Sequence, residues 1–174
     1  MEFPLKKIKP DFVFGDRPKK LQSELKLIND EDIFKIEQIA DDSSFVIISF
    51  RGYKNTLIEG IFFRVMISMR WDFPYSPPTC ILINSIFHPN VNQDGIVFRC
   101  FNKDIKEHGD WKNSDYDLTA SWSPAINFIA ILLSLICILS ESDIQFPCNP
   151  EAAALFLEDR EQYEEQFLDS CFKI

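Results

Sequence analysis

A chain of 174 residues, 46% of them hydrophobic, is of a size to fold as one domain, residues 1–174, around one sizeable core. Its net charge of −9 argues against nucleic acid as a primary partner, because a phosphate backbone attracts clustered Lys and Arg rather than a net anion. Five cysteines, Cys80, Cys100, Cys137, Cys148 and Cys171, stand without CxxC pairs or zinc-finger histidine spacing, so neither a disulfide framework, a metal site nor a cofactor is expected.

The opening MEFPLKKIKPDF has no long apolar stretch of the secretory kind, and reduced thiols fit the cytosol or nucleus. The basic run Lys6, Lys7, Lys9, Arg17, Lys19 and Lys20 is where an acidic partner surface would meet the chain, unless it is simply solvated. Asp16 as cap and Pro18 in the first turn predict a helix with Leu21, Leu25 and Ile28 on one face. Three β-rich runs follow, Phe34–Ile39, Phe45–Phe50 and Ile61–Met69, separated by polar or Gly-containing turns, and Cys80–Ile83 is a short fourth. They predict an antiparallel meander.

An irregular stretch runs from His88 to Trp122. Ser123 as cap with Pro124 at the first helical position then predicts a helix ending near Leu139 that crosses the core. Its apolar run, Phe128–Leu139, is well short of the ~20 residues that span a bilayer. Asn149-Pro150 repeats the cap chemistry before Ala152–Leu157, and Asp159 begins a last helix with Tyr163, Phe167 and Cys171 at i, i+4, i+8. Strands segregated from helices in this order indicate an α+β fold.

The segment Gly60–Pro78, GIFFRVMISMRWDFPYSPP, with Glu59, resembles the ubiquitin-conjugating enzymes: an EGG-like turn, an amphipathic strand and a Tyr-Pro-Phe-x-Pro-Pro loop. The resemblance continues through His88-Pro89-Asn90, Asn92–Gly95, Trp122-Ser123-Pro124-Ala125 and Asn149-Pro150-Glu151-Ala152-Ala153, and covers roughly residues 17–171. It implies the ubiquitin-conjugating fold: an N-terminal helix, a four-stranded antiparallel meander and C-terminal helices. It also implies partners: ubiquitin or a ubiquitin-like protein, with an activating enzyme and a ligase if the chain is active. By the same resemblance Tyr75, Pro124 and Ala125 match the ligase-binding surface. Read from the residues alone, Asp72–Pro78 is an exposed turn stiffened by prolines and suited to partner docking; otherwise Tyr75 is a half-buried packing residue and Pro124 a helix starter.

The family's chemistry is a thioester between a cysteine and the modifier's C-terminus, passed on to an amine. It requires a thiolate, a donor near the developing oxyanion and a group that aids the amine. Asn90 matches the Asn of His-Pro-Asn, which serves the oxyanion or the local loop structure. Reading Gly95-Ile96-Val97 without gaps, however, puts Phe98 at the cysteine position, and Phe146 stands where the family often carries an acidic residue. Neither ring is a nucleophile or a base. This resembles the catalytically silent variants of the family, which act by binding.

Cys100 keeps a second reading open, since a two-residue shift in an extended segment restores the same face. It is then either a displaced nucleophile or a small buried hydrophobe. The insertion Asn102–Ser121, with Asp104, Glu107, Asp110, Asp115 and Asp117, matches an acidic loop of some chain-building members and is otherwise a surface excursion. His108 within it reads as a solvated residue. A non-catalytic binder of a modifier or of an active conjugating enzyme, a transferase using Cys100, and a scaffold outside ubiquitin chemistry all remain in view.

Overall fold

Residues 17–29, 33–84, 86–97, 122–145 and 147–172 are described by the structure, a computed structural model. Helix α1 (Arg17–Asn29) carries Pro18 in its first turn, where a missing N–H breaks no helical bond. It buries Leu21 and Ile28, with Leu25 packed at the margin of the core.

Four antiparallel strands follow in the order β1-β2-β3-β4: β1 (Phe34–Ile39), β2 (Phe45–Arg51), β3 (Phe62–Ser68) and β4 (Thr79–Leu82). Alternation decides which face is buried. Phe63, Val65 and Ile67 of β3 point inward opposite Phe50, Ile48 and Val46 of β2. Phe50 stacks on Phe63 at 5.4 Å and meets Phe34 edge-on at 6.2 Å. A register shift between Ile36 and Gln38 ends the regular alternation of β1 and leaves Ile39 exposed.

Helix α2 (Phe128–Ser140) buries Phe128, Ile131, Leu132, Leu135, Ile136 and Leu139, one stripe at i, i+3, i+4, i+7, i+8 and i+11. Its start corrects the sequence reading. The cap is Asn127, whose Oδ1 accepts from the Ala130 N–H at 2.8 Å, and not Ser123. Ser123 instead closes a separate turn, its carbonyl accepting from the Ile126 N–H at 2.9 Å and its hydroxyl from the Ala125 N–H at 3.3 Å. A tertiary partner completes the helix start: the Glu24 carboxylate accepts from the Phe128 N–H at 2.6 Å. Lys20 pairs with that carboxylate at 2.7 Å, so the buried charge meets both a cation and a helix N-terminus.

Helix α3 (Pro150–Glu158) is capped by Asn149, whose side chain accepts from the Ala152 N–H at 3.2 Å. Helix α4 (Arg160–Phe172) starts beyond Asp159, whose carboxylate accepts from the Gln162 N–H at 3.0 Å. Tyr163 and Phe167 are buried and Cys171 partly so. Among the described residues no helix is long and apolar enough to cross a membrane, and no group of three or more His, Cys, Asp or Glu could hold a metal ion.

Candidate functional site

The His88-Pro89-Asn90 segment is buried at all three residues and is held by its polar groups. The Asn90 side chain donates from Nδ2 to the Asp143 carbonyl at 2.7 Å and accepts the Asp143 N–H on Oδ1 at 2.8 Å. The Pro89 carbonyl accepts from the Cys148 and Asn149 N–H groups at 2.9 and 3.0 Å. Through these bonds the segment before α3 and the segment after α2 are both fastened to residues 88–90.

His88 fixes the interior of this junction. Its Nδ1 accepts the Asn90 N–H at 3.1 Å, which assigns the ring proton to Nε2, 3.1 Å from the Ser142 hydroxyl. Ser142 in turn lies 3.3 Å from the Tyr163 hydroxyl. Burial pushes the His88 pKa down to about 4, against a smaller opposing effect of a hydrogen bond to the Leu139 backbone, so the imidazole is neutral at physiological pH. Burial likewise pushes Tyr163 up to about 12, with the Ser142 hydrogen bond opposing it. Tyr163 is a hydrogen-bonding core residue rather than an acid or base.

A tight turn then delivers the chain toward position 98. Asn92 Oδ1 accepts from the Asp94 and Ile96 N–H groups at 3.0 and 2.8 Å. Gly95 sits at φ +77°, and a Cβ there would meet the Leu82 carbonyl oxygen at 2.3 Å, so only glycine fits. Its own carbonyl accepts the Leu82 N–H at 2.8 Å, and the Val97 N–H donates to the Cys80 carbonyl at 3.1 Å. Gly95-Ile96-Val97 thus runs against β4 in a fixed register. Phe98, Cys100, the Asn102–Ser121 insertion with His108, and Phe146 lie outside the described residues.

Tyr75, Pro124 and Ala125 are exposed, Tyr75 at 70%. Around Tyr75 the loop is buried: Phe73, Pro74, Ser76, Pro77 and Pro78 all face inward, and the Ser76 hydroxyl donates to the Asp72 carboxylate. Trp122 ties this loop to the turn bearing Pro124, its indole Nε1–H donating to the Pro74 carbonyl at 2.8 Å. Its ring lies 6.3 Å from Phe73, which lies 5.9 Å from Phe128 in the core. Asp143, Ser142, Tyr163 and Trp122 received no site role from the sequence, because each acts through a partner more than fifteen residues away.

The ubiquitin-conjugating enzyme family model matches residues 20–171, the span that contains α1, the meander, the His-Pro-Asn junction and the C-terminal helices. The chain belongs to the ubiquitin-conjugating enzyme family. It is 28% identical over 158 residues to a probable ubiquitin-conjugating enzyme of Acanthamoeba polyphaga mimivirus, covering 88% of this chain and 90% of that one. It is 33% identical over 139 residues to a probable ubiquitin-conjugating enzyme of Caenorhabditis elegans, covering 80% and 75%. A ubiquitin-conjugating enzyme of Arabidopsis thaliana is 36% identical over 116 residues, covering 66% and 68%. The protein is therefore a ubiquitin-conjugating-enzyme-like protein of a ubiquitin pathway. Its N-terminal helix, four-stranded antiparallel sheet and C-terminal helices are those of the ubiquitin-conjugating fold.

Proposed function

We propose that this family member works by binding and orienting ubiquitin, a ubiquitin-like modifier or an active conjugating enzyme, and carries no thioester of its own. One observation carries the reading. Gly95 and Val97 are hydrogen-bonded to Leu82 and Cys80, so the Gly-x-Val step has no slack before the next residue, and that residue is Phe98. A phenyl ring has no lone pair with which to attack the modifier's C-terminal carbonyl. Phe146 brings no carboxylate to assist an incoming amine. Asn90 holds the loop through both ends of its amide, bonded to Asp143, a role that fits either reading because one Nδ2 hydrogen is left over.

Tyr75, Pro124 and Ala125 are the partner-docking residues in this reading, and residues 1–174 act as one domain. The partner in this reading is a modifier or an active conjugating enzyme, met at a surface that matches the family's ligase-binding one.

The test is charging. Incubated with matched activating enzyme, modifier and ATP, the protein gives no thiol-sensitive adduct on a non-reducing gel, yet captures free modifier or an active conjugating enzyme in a pull-down. A thiol-sensitive band that is lost in Cys100→Ala but kept in Cys80→Ala and Cys148→Ala would overturn the silent reading and make Cys100 a displaced nucleophile. Neither charging nor capture across ubiquitin, related modifiers and active conjugating enzymes would place the protein outside this chemistry as a scaffold.

A further inference from the structure

We infer that Trp122 is a positioning residue for docking: its indole N–H sets the aim of Tyr75 relative to Pro124 and Ala125. The inference deepens the docking role proposed for those three residues and rests on it.

Tyr75 is exposed while both of its neighbours are buried, so the peptide plane that joins it to Pro74 sets where its Cα–Cβ bond leaves the loop. That plane is held at both polar ends. Its N–H, from Tyr75, donates to the Asp72 carbonyl at 2.8 Å. Its C=O, from Pro74, accepts the Trp122 Nε1–H at 2.8 Å. With both groups engaged, the plane cannot rotate without breaking a hydrogen bond.

Trp122 itself has little freedom. Its half-buried ring packs against Phe73 at 6.3 Å, and Phe73 against Phe128 at the start of α2 at 5.9 Å. One residue later the chain enters the Ser123–Ile126 turn, closed by the Ile126 N–H on the Ser123 carbonyl at 2.9 Å, with Pro124 and Ala125 exposed at its tip. A single side chain thus bonds the backbone of one candidate loop while its own backbone begins the other. Indole is a donor only, and a partly buried one takes a fixed acceptor. A partner that touches both loops meets a preformed pair and does not order them on binding.

The full-length chain is labelled with nitroxides through p-acetylphenylalanine at positions 75 and 125, which leaves the cysteines untouched, and the distance distribution is read by pulsed electron resonance. One narrow distribution is expected with Trp122 present. In Trp122→Phe, which keeps an aromatic ring but lacks the donor, the width increases roughly twofold or more as the Pro74–Tyr75 plane samples a second orientation. If that variant fails to fold, a benzothienylalanine at position 122, of indole shape with sulfur in place of N–H, takes its place. The unlabelled donor-less variant also binds a ligase domain roughly fivefold more weakly, the equivalent of one neutral hydrogen bond, at a temperature where both proteins are fully folded. An unaltered distance distribution would overturn the inference and leave Trp122 as packing. The docking reading itself stands or falls separately, on Tyr75→Ala binding, which does not involve the indole.

Discussion

Asn90 and Asp143, 53 residues apart, are joined as two peptide groups are joined across a sheet: one donates at 2.7 Å and accepts at 2.8 Å through a single side-chain amide. An aspartate would set an acceptor against the Asp143 carbonyl, and an alanine would leave the Asp143 N–H and C=O without these partners. Asn90→Ala and Asn90→Asp are each expected to lower the free energy of unfolding by about 1–3 kcal/mol, since the groups left behind are partly buried. Urea unfolding checks it. A loss below about 0.5 kcal/mol would mean that water replaces the side chain and that the pair does not hold the loop.

The same junction predicts a pH dependence. His88 is buried, with a pKa pushed down from 6.5 to about 4, so the unfolded chain binds a proton at this site more readily than the folded one. Stability from this group is therefore complete above pH 6.5 and is lost as the pH falls through 6.5 toward 4. The full difference is on the order of 3 kcal/mol. Protonation at Nδ1 would also turn the acceptor of the Asn90 N–H into a donor. Histidine NMR resonances followed against pH, with His108→Ala for assignment, should show no His88 titration above pH 5.5, and a midpoint near 6.5 would refute the burial account.

In α2 the core and solvent sides are adjacent in sequence. Leu132 is fully buried, whereas Leu133 is 37% exposed. Leu132→Ala is expected to cost about 2–5 kcal/mol through lost burial and a residual cavity. Leu133→Ala should cost about 1 kcal/mol or less, because alanine's helix propensity offsets part of the lost contact. Comparable losses at both positions in chemical denaturation would contradict the stripe.

The contrast between two similar motifs shows how much of this was legible in the sequence. Asn149-Pro150 reads as a cap and caps α3. Ser123-Pro124 reads the same way and caps nothing helical, because Asn127 offers a second cap four residues on and Glu24 binds the Phe128 N–H from more than a hundred residues away. The strands were placed within a residue or two because β-rich runs bounded by polar or Gly-containing turns are a local signal. Tyr75 stood open between an exposed docking ring and a half-buried packing residue, and its 70% exposure contradicts the second. The Asn90–Asp143 and Trp122–Pro74 pairs were not legible, since each joins segments that only the closed sheet and helices bring together.

Tyr75 separates docking from packing. It is 70% exposed, so Tyr75→Ala should leave the melting temperature nearly unchanged, while in the docking role proposed above it weakens capture of a ligase domain by roughly tenfold or more, as loss of an exposed aromatic anchor does. Differential scanning calorimetry and a binding isotherm on the same sample give both numbers. A drop of about 4 °C or more in the melting temperature would instead show that the ring supports the fold.

The last prediction restores the missing group. Phe98→Cys places a thiol directly after Val97, whose N–H is bonded to Cys80, at the end of the turn that Gly95 and Asn92 hold in register. If the silent reading is right, the surroundings still admit the modifier's C-terminus and only the nucleophile is absent. The variant should then form a thiol-sensitive adduct with at least one modifier under conditions where the natural sequence gives none. Charging should increase with pH toward the thiol's pKa, near 8.5 for an unperturbed cysteine, because the thiolate attacks. Adding Cys100→Ala to the variant should leave the band intact, which assigns the adduct to position 98. Phe98→Ser provides the chemical control: an oxygen ester at the same position resists thiols that cleave the thioester. Should Phe98→Cys remain uncharged with modifiers that charge a related conjugating enzyme in parallel, more than the nucleophile has been lost, and the surface around Tyr75 and Pro124 becomes the part of the family's machinery to pursue.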